Sequence, residues 1–392
     1  MRVPVLVVTI LAAGWAGIGP LAQTQDAADA VTAPQLSAAI ESLGTTDFAA
    51  RTKAARTVRR APAAMAVPAL QQAVARHQDG YVRFRALVLL SGFNDPGTRD
   101  VMRGVLGDRN DRLRAVAYAH FEHHPDPRTL PQLIELLKTE ESEFVRPALT
   151  RAIAAHGGEA AAREVMIALA MRGQDFFRGA VIEALGDYKA GYALSTLTTI
   201  ARLDGPLQDD AVLALGRVGD KRALEAVVAL QRTAPRAMQP AIAAAICLLG
   251  TNCSSHLGFL VNSLKFSIDN LGYQELLRAS ASGLAALAVA GQADAAAALF
   301  DMGGPTRDPA RAAIALAAGT VALRNTPLLL EVLQDPARRA PGIELLKEAF
   351  DMLEEDYVEE RFFVAVRRAY WQAPAGSEAR RTAEALIQGL EF

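Results

Sequence analysis

Apolar residues recur at the three- and four-residue spacing of an amphipathic helix along nearly the whole chain, as in Leu130, Leu133, Ile134 and Leu137 or Leu224, Val227, Val228 and Leu230. This spacing, in a chain rich in alanine and leucine, predicts an all-α protein. The helical segments also repeat. An arginine marks the period: Phe48-Ala-Ala-Arg51, Val82-Arg83, Leu113-Arg114, Val145-Arg146 and Phe177-Arg178 place their arginines 32, 31, 32 and 32 residues apart. An acid lies upstream of each, at Asp47, Asp79, Asp111, Glu143 and Asp175, where it satisfies free backbone N–H groups and the dipole of a helix start. Turn formers follow at Asn94-Asp95-Pro96, Pro125-Asp126-Pro127, Gly157-Gly158, Gly186-Asp187 and Gly219-Asp220, so each unit reads as a helical hairpin. One hairpin cannot bury its apolar stripe alone. Stacked hairpins can, with stability summed over neighbours and a cap needed at each end.

Units such as Asp175-Phe-Phe-Arg178-Gly-Ala-Val-Ile-Glu-Ala-Leu-Gly186-Asp187 resemble HEAT repeats, specifically the HEAT-like repeats of the phycobilisome-lyase type, over residues 45–335. The resemblance implies a right-handed alpha-alpha superhelix, a HEAT-like solenoid of about ten helical hairpins. It also implies a structural ladder in which Arg51, Arg83, Arg114, Arg146, Arg178, Arg278 and Arg311 pair with acids of neighbouring units. At about 10 Å between packed helices, such an array would run on the order of 100 Å and offer a surface rather than a cleft. The family spans scaffolds, adaptors, carriers and a few enzymes, so the resemblance bears on fold more than on function.

Composition agrees with thin helix-on-helix packing: only 6% of residues are aromatic. Forty-one basic and forty-three acidic residues give a net charge of −2, which supplies no field for nucleic acid. The first 28 residues read as a signal peptide, with Met1-Arg2 followed by an uncharged run from Val3 to Ala22 and cleavage expected near Ala22 or Ala28. A retained single-span anchor is the alternative, and only then would a membrane be a partner. Residues 29–44 form a linker and an N-terminal capping helix, 45–335 the repeat array, and 336–392 the C-terminal capping helices. Periplasmic or secreted placement permits a disulfide between Cys247 and Cys253 that pins a local turn.

The arginine register lapses at Asp209-Asp210 and Gln239-Pro240, and the chain between Cys253 and Tyr273 is some six residues too long. Its polar residues His256, Asn262, Asp269 and Asn270 are candidates for partner binding, because a rigid scaffold projects function on irregular segments. The run Glu354 to Glu360 reads as a solvated helix face. Tyr357, Phe362, Phe363, Tyr370 and Trp371 read as cap residues, with interface anchors the alternative.

For chemistry, His120-Phe-Glu-His123-His124 sets His120 and His124 on one helix face, and His156 falls in the same place one unit on. These three are weak metal candidates, since the zinc-protease pattern needs a glutamate where Phe121 stands. The sequence holds no phosphate loop, serine elbow or dinucleotide fingerprint. The reading is an exported scaffold for a protein partner, without cofactor, bound through the concave face or residues 250–273. A lyase-like or metal-dependent enzyme on the same solenoid, or a structural envelope protein, is the alternative. A scaffold would spread its contacts along the second helices of the hairpins, whereas an enzyme would gather polar groups in one deep pocket.

Overall fold

A computed structural model describes residues 31–353 and 355–392; the leader expected over 1–28 lies outside them. The described residues form twenty-two α-helices, numbered here in chain order, and no strand. After α1 (Ala33–Ser42), the even-numbered helices make an inner row. They are α2 (Phe48–Arg60), α4 (Gly80–Ser91), α6 (Asp111–His123), α8 (Arg146–Ala154), α10 (Asp175–Asp187), α12 (Gln208–Val218), α14 (Gln239–Leu248), α16 (Gln274–Val289), α18 (Ala310–Arg324) and α20 (Pro336–Leu353). The outer row holds α3 (Ala63–Arg76), α5 (Thr98–Gly104), α7 (Leu130–Leu136), α9 (Ala160–Met171), α11 (Leu194–Arg202), α13 (Leu224–Leu230), α15 (Cys253–Asp269), α17 (Ala293–Gly303) and α19 (Thr326–Val332). The chain ends in the hairpin α21 (Asp356–Gln372) and α22 (Glu378–Gly389).

The acids open helices in two ways. Asp47 and Asp79 are N-caps that accept from Ala50 N at 2.8 Å and Tyr81 N at 2.7 Å. Asp111 and Asp175 instead sit in the first turn of α6 and α10. At the N-terminus Thr32 and Gln35 close a capping box on α1. One apolar core runs between the two rows, through residues such as Leu70, Leu90, Leu113, Ile153, Leu185, Leu215 and Leu284. Among the described residues no single helix is long and apolar enough to cross a membrane.

The inner row is built for close approach. A Cβ on Gly216 of α12 would lie 2.6 Å from Ala245 Cα of α14, and one on Gly319 of α18 would lie 2.6 Å from Ala349 Cβ of α20. Glycine facing alanine lets inner helices pack closer than outer ones, so the array curves toward its inner face. The curvature carries the far end back to the start: α21 packs on α4 and α6. An open surface about 100 Å long was the expectation, and the packing of α21 on α4 and α6 overturns it.

Candidate functional site

The closure is polar. Asp356 and Glu360 stand four residues apart on α21, one helical turn, and so reach two successive inner helices. Glu360 is only 1% exposed and accepts from Arg59 Nε at 2.9 Å and Nη2 at 2.6 Å, while Arg59 also lies over the Phe363 ring at 5.0 Å. Asp356 pairs with Arg85 of α4. Gly92 makes room, since a Cβ there would meet Glu360 Oε1 at 2.6 Å. Asp356 and Glu360 of the acid run thus do not lie on a solvated face: their charges join the two ends of the array. Tyr357 and Phe362 are buried, and Trp371 is exposed.

Tyr357 enters a histidine cluster on α6. Its hydroxyl is 3.2 Å from His120 Nδ1 and 3.3 Å from His124 Nδ1. The rings of His120 and His124 stack at 4.6 Å, and His123 stacks on Tyr357 with centroids 5.9 Å apart. His124 Nδ1 also faces the His120 carbonyl at 3.2 Å; a carbonyl only accepts, so that nitrogen carries the proton and Tyr357 donates to His120. Burial pushes His120 and His123 down to about 3, with nearby arginines adding to the effect, so both are neutral at pH 7. The Nε2 atoms of both are buried with no hydrogen-bond partner. His156 does not join them. Its nitrogens face the carbonyls of Ala152 at 2.8 Å and Asp126 at 3.1 Å, which corrects the three-imidazole arrangement drawn from its spacing.

A second charged row crosses the inner helices near their C-terminal ends. Glu122 of α6 accepts from Arg151 Nε of α8 at 2.9 Å and from the Tyr188 hydroxyl at 2.8 Å. Arg151 and Arg217 of α12 each reach Asp187 of α10 at 3.0 Å. Burial alone would raise the Glu122 carboxyl, but Arg151, His123, Arg324 and the Tyr188 hydroxyl hold it below its ordinary value.

Between the N-terminal inner helices and the closing α20–α22 lies a cavity of about 810 Å³. One wall alternates aromatic rings and guanidiniums. Arg51 lies over Phe48 at 5.5 Å and Tyr81 at 5.8 Å, and Arg112 over Tyr81 at 5.9 Å and Phe84 at 5.5 Å. Phe48 and Phe144 are 65% and 52% exposed on the rim. The facing wall carries Asp351, Glu355, Asp356 and Glu359. Burial, then the neighbouring carboxylates, pushes Glu359 up to about 8; burial also raises Asp356 in spite of Arg85. A lining that alternates charge with aromatic faces suits a polar ligand with an apolar body.

The expected arginine ladder is present in part. Arg83 reaches Asp108 at 2.6 Å, Arg114 reaches Glu140 at 2.7 Å and Arg311 reaches Glu348 at 2.6 Å, each on or just before the next inner helix. The other four positions are corrected. Arg51 donates to the Thr45 carbonyl, Arg146 lies 4.3 Å from the Phe177 ring centroid, and Arg178 pairs with Asp175 of its own helix while its Nε donates to the Ala170 carbonyl of α9 at 2.9 Å. Arg278 is exposed beside a shallow hollow on α16. The paired arginines meet acids of the loops and helices ahead rather than the helix-opening acids.

Cys247 and Cys253 are bonded and join α14 to α15 across a turn in which Asn252 takes a positive φ of 47°. The long segment 250–273 is mostly the helix α15 in the outer row, so it does not line the cavity. Asn262, Asp269 and Asn270 are exposed there, Asn270 Nδ2 donating to the Phe266 carbonyl at 2.8 Å, and His256 is half-buried. Sequence reasoning missed Arg59, Arg85, Arg112, Glu122 and Arg151. A signal existed for the last two: their alternating charge recurs at corresponding places as Glu122, Arg151, Asp187 and Arg217.

Residues 34–120 and 105–186 match the model of HEAT repeats. Similar solved structures include YibA of Escherichia coli, with 19% identity over 56% of this chain and 82% of that one, at a TM-score of 0.41. Importin beta shares 13% over 91% and 58%, at 0.38. The CpcE–CpcF complex of phycocyanin lyase from Nostoc sp. PCC7120 shares 16% over 81% and 94%, at 0.26. No curated protein matches the sequence. Residues 34–186 are matched as HEAT repeats, and the described chain as a whole is an all-α, HEAT-like solenoid with its inner row closed on itself by the C-terminal hairpin.

Proposed function

We propose that this chain is an exported, non-catalytic scaffold that takes a segment of a protein partner into the cavity between its N-terminal repeats and its closing helices. The observation that carries this reading is the aromatic and guanidinium wall of Phe48, Arg51, Tyr81, Phe84 and Arg112, on the first three inner helices. HEAT-repeat solenoids are generally non-catalytic, and such a wall is the composition of a binding surface, where aromatic and arginine side chains dominate affinity. The uncharged run from Val3 to Ala22 supports export.

The test is affinity capture of the tagged full-length chain from an envelope fraction, alongside Tyr81→Ala and Phe144→Ala together. A single protein held by the parent and released by the double variant supports the cavity as the site. Equal capture by both sinks it. The outer surface has its own observation, exposed Phe259, Leu271 and Tyr273 near Arg236, whose guanidinium is 5.0 Å from the Tyr273 ring centroid. Loss of capture on Phe259→Ser with Leu271→Ser, and not on the first pair, would move the contact to α15. Fractionation of cells carrying the tagged chain checks export: recovery in the cytoplasm, uncleaved, would refute it.

A further inference from the structure

The arginines of the cavity fall into two groups. Arg59, Arg85, Arg151 and Arg324 are each paired with a carboxylate, Glu360, Asp356, Glu122 and Glu355 respectively. Among the described residues Arg51 and Arg112 pair with none. Aromatic rings hold them in place instead, and both guanidiniums sit within 6 Å of the Tyr81 ring centroid, at 5.8 Å and 5.9 Å. A guanidinium stacked on a ring has lost much of its rotamer freedom before any ligand arrives; Arg51 Nη1 is used on the Thr45 carbonyl at 3.0 Å, which leaves its Nε and Nη2, with the Arg112 guanidinium, to bind carboxylates. The neighbouring acids Asp47 and Asp79 form no ion pair with either cation among the described residues; Oδ1 of each caps α2 or α4.

The closing helix shows what this face accepts. On α21, Glu360 seats on Arg59 and Asp356 on Arg85, with the Phe363 ring beneath the Arg59 guanidinium. That contact is an acidic, aromatic-bearing polypeptide bound in cis to α2 and α4. Arg51 on α2 and Arg112 on α6 extend the same cationic face into the cavity, where Arg112 also acts on Asp356 of the facing acidic wall. Alternate residues of an extended chain lie about 7 Å apart, a spacing suited to two carboxylates reaching guanidiniums around one ring.

We infer that the partner presents an acidic, extended segment with apolar side chains, two of whose carboxylates pair with Arg51 and Arg112 while its apolar groups lie on Tyr81, Phe84 and Phe144. This rests on the scaffold reading and names the chemistry its site selects.

The experiment is fluorescence anisotropy with the full chain and a labelled decapeptide of alternating glutamate and leucine. A lysine–leucine counterpart and a single-stranded oligonucleotide of equal negative charge serve as competitors. Arg51→Gln with Arg112→Gln is the test variant, and Arg128→Gln, on a remote exposed arginine, is the control. The expected result is salt-sensitive binding of the glutamate peptide, weakened on the order of tenfold or more by the double variant and unchanged by the control. Circular dichroism of the double variant should match the parent, since neither side chain holds a tertiary ion pair. Three results would overturn the inference: equal binding by parent and double variant, preference for the lysine peptide, or equal binding of the oligonucleotide. The two readings fail separately. A partner still captured from envelope extract by the double variant leaves the scaffold standing and removes the acidic segment. Peptide binding without any captured partner does the reverse.

Discussion

At the scale of single residues, the Arg59–Glu360 pair shows how much a side chain depends on contacts far along the chain. Both partners are nearly inaccessible, so each charge has given up its hydration and relies on the other, with Arg367 Nη2 a further 3.5 Å contact to Glu360. Glu360→Ala therefore leaves a buried guanidinium uncompensated and is expected to destabilise the closed form by about 3–5 kcal/mol. Arg59→Met with Glu360→Leu, which removes both charges and keeps volume, is expected to recover most of that loss. Urea unfolding of the three chains checks this, and equal loss in single and double variants would contradict it. Neither residue was legible in the sequence as one of a pair. They are 301 positions apart, and Glu360 sits in a run of acids that looks like any exposed helix face. By contrast, Arg83, Arg114 and Arg311 were legible because their partners lie one repeat away, where the period itself points.

Individual helices were the most readable level, because their evidence is local. Asp47 and Asp79 cap the helices they precede, and the turn residues separate inner from outer helices where the pattern breaks. How closely two helices pack is a different matter, since it depends on which small residues face each other across a contact. Gly216 is one such residue, and an added side chain there would press on the backbone of Ala245. Gly216→Val is expected to force α12 from α14, cost about 1–3 kcal/mol through overpacking, and flatten the curvature. Small-angle scattering should then show a larger radius of gyration, with the α21 contact weakened although it lies elsewhere in the ring. An unchanged radius with lowered stability would mean that the helices repack locally and that curvature has another source. Alanine and glycine in an inner helix read as ordinary helix composition in the sequence, which is why closure was not foreseen.

For the whole molecule, closure makes stability depend on proton uptake at the seam. His120 and His123 are held near 3 by burial, with His124, Arg99, Arg361, Arg324 and Arg151 opposing a positive charge and Glu122 favouring it. An opened seam would return both to an ordinary value of about 6.5. The open form therefore binds more protons at low pH, so closure weakens as pH falls from about 6.5 toward 3, by about 1.4 kcal/mol per pH unit for each histidine. Glu359 acts in the opposite sense. Held near 8 when closed and ordinary when open, it keeps its proton in the closed form, so closure weakens as pH rises from about 4.5 toward 8. Asp356, also raised, acts with Glu359, and His124, also lowered, acts with the two histidines; between about 4.5 and 6.5 the histidines outweigh the carboxyls, which places the maximum near pH 6.5. Thermal unfolding across pH 4 to 8 should trace a peak there, and tyrosine fluorescence should follow exposure of Tyr357 on the acid side. His123→Phe separates the contributions: His123 Nε2 has no hydrogen-bond partner and its ring stacks on Tyr357, so phenylalanine keeps the stacking and removes the titration. The rise from about pH 4.5 to 6.5 should largely flatten, because His120 then only offsets Glu359, while the alkaline limb above pH 6.5 stays as it was. An acid limb unchanged by His123→Phe would show that the seam is not what the protons open.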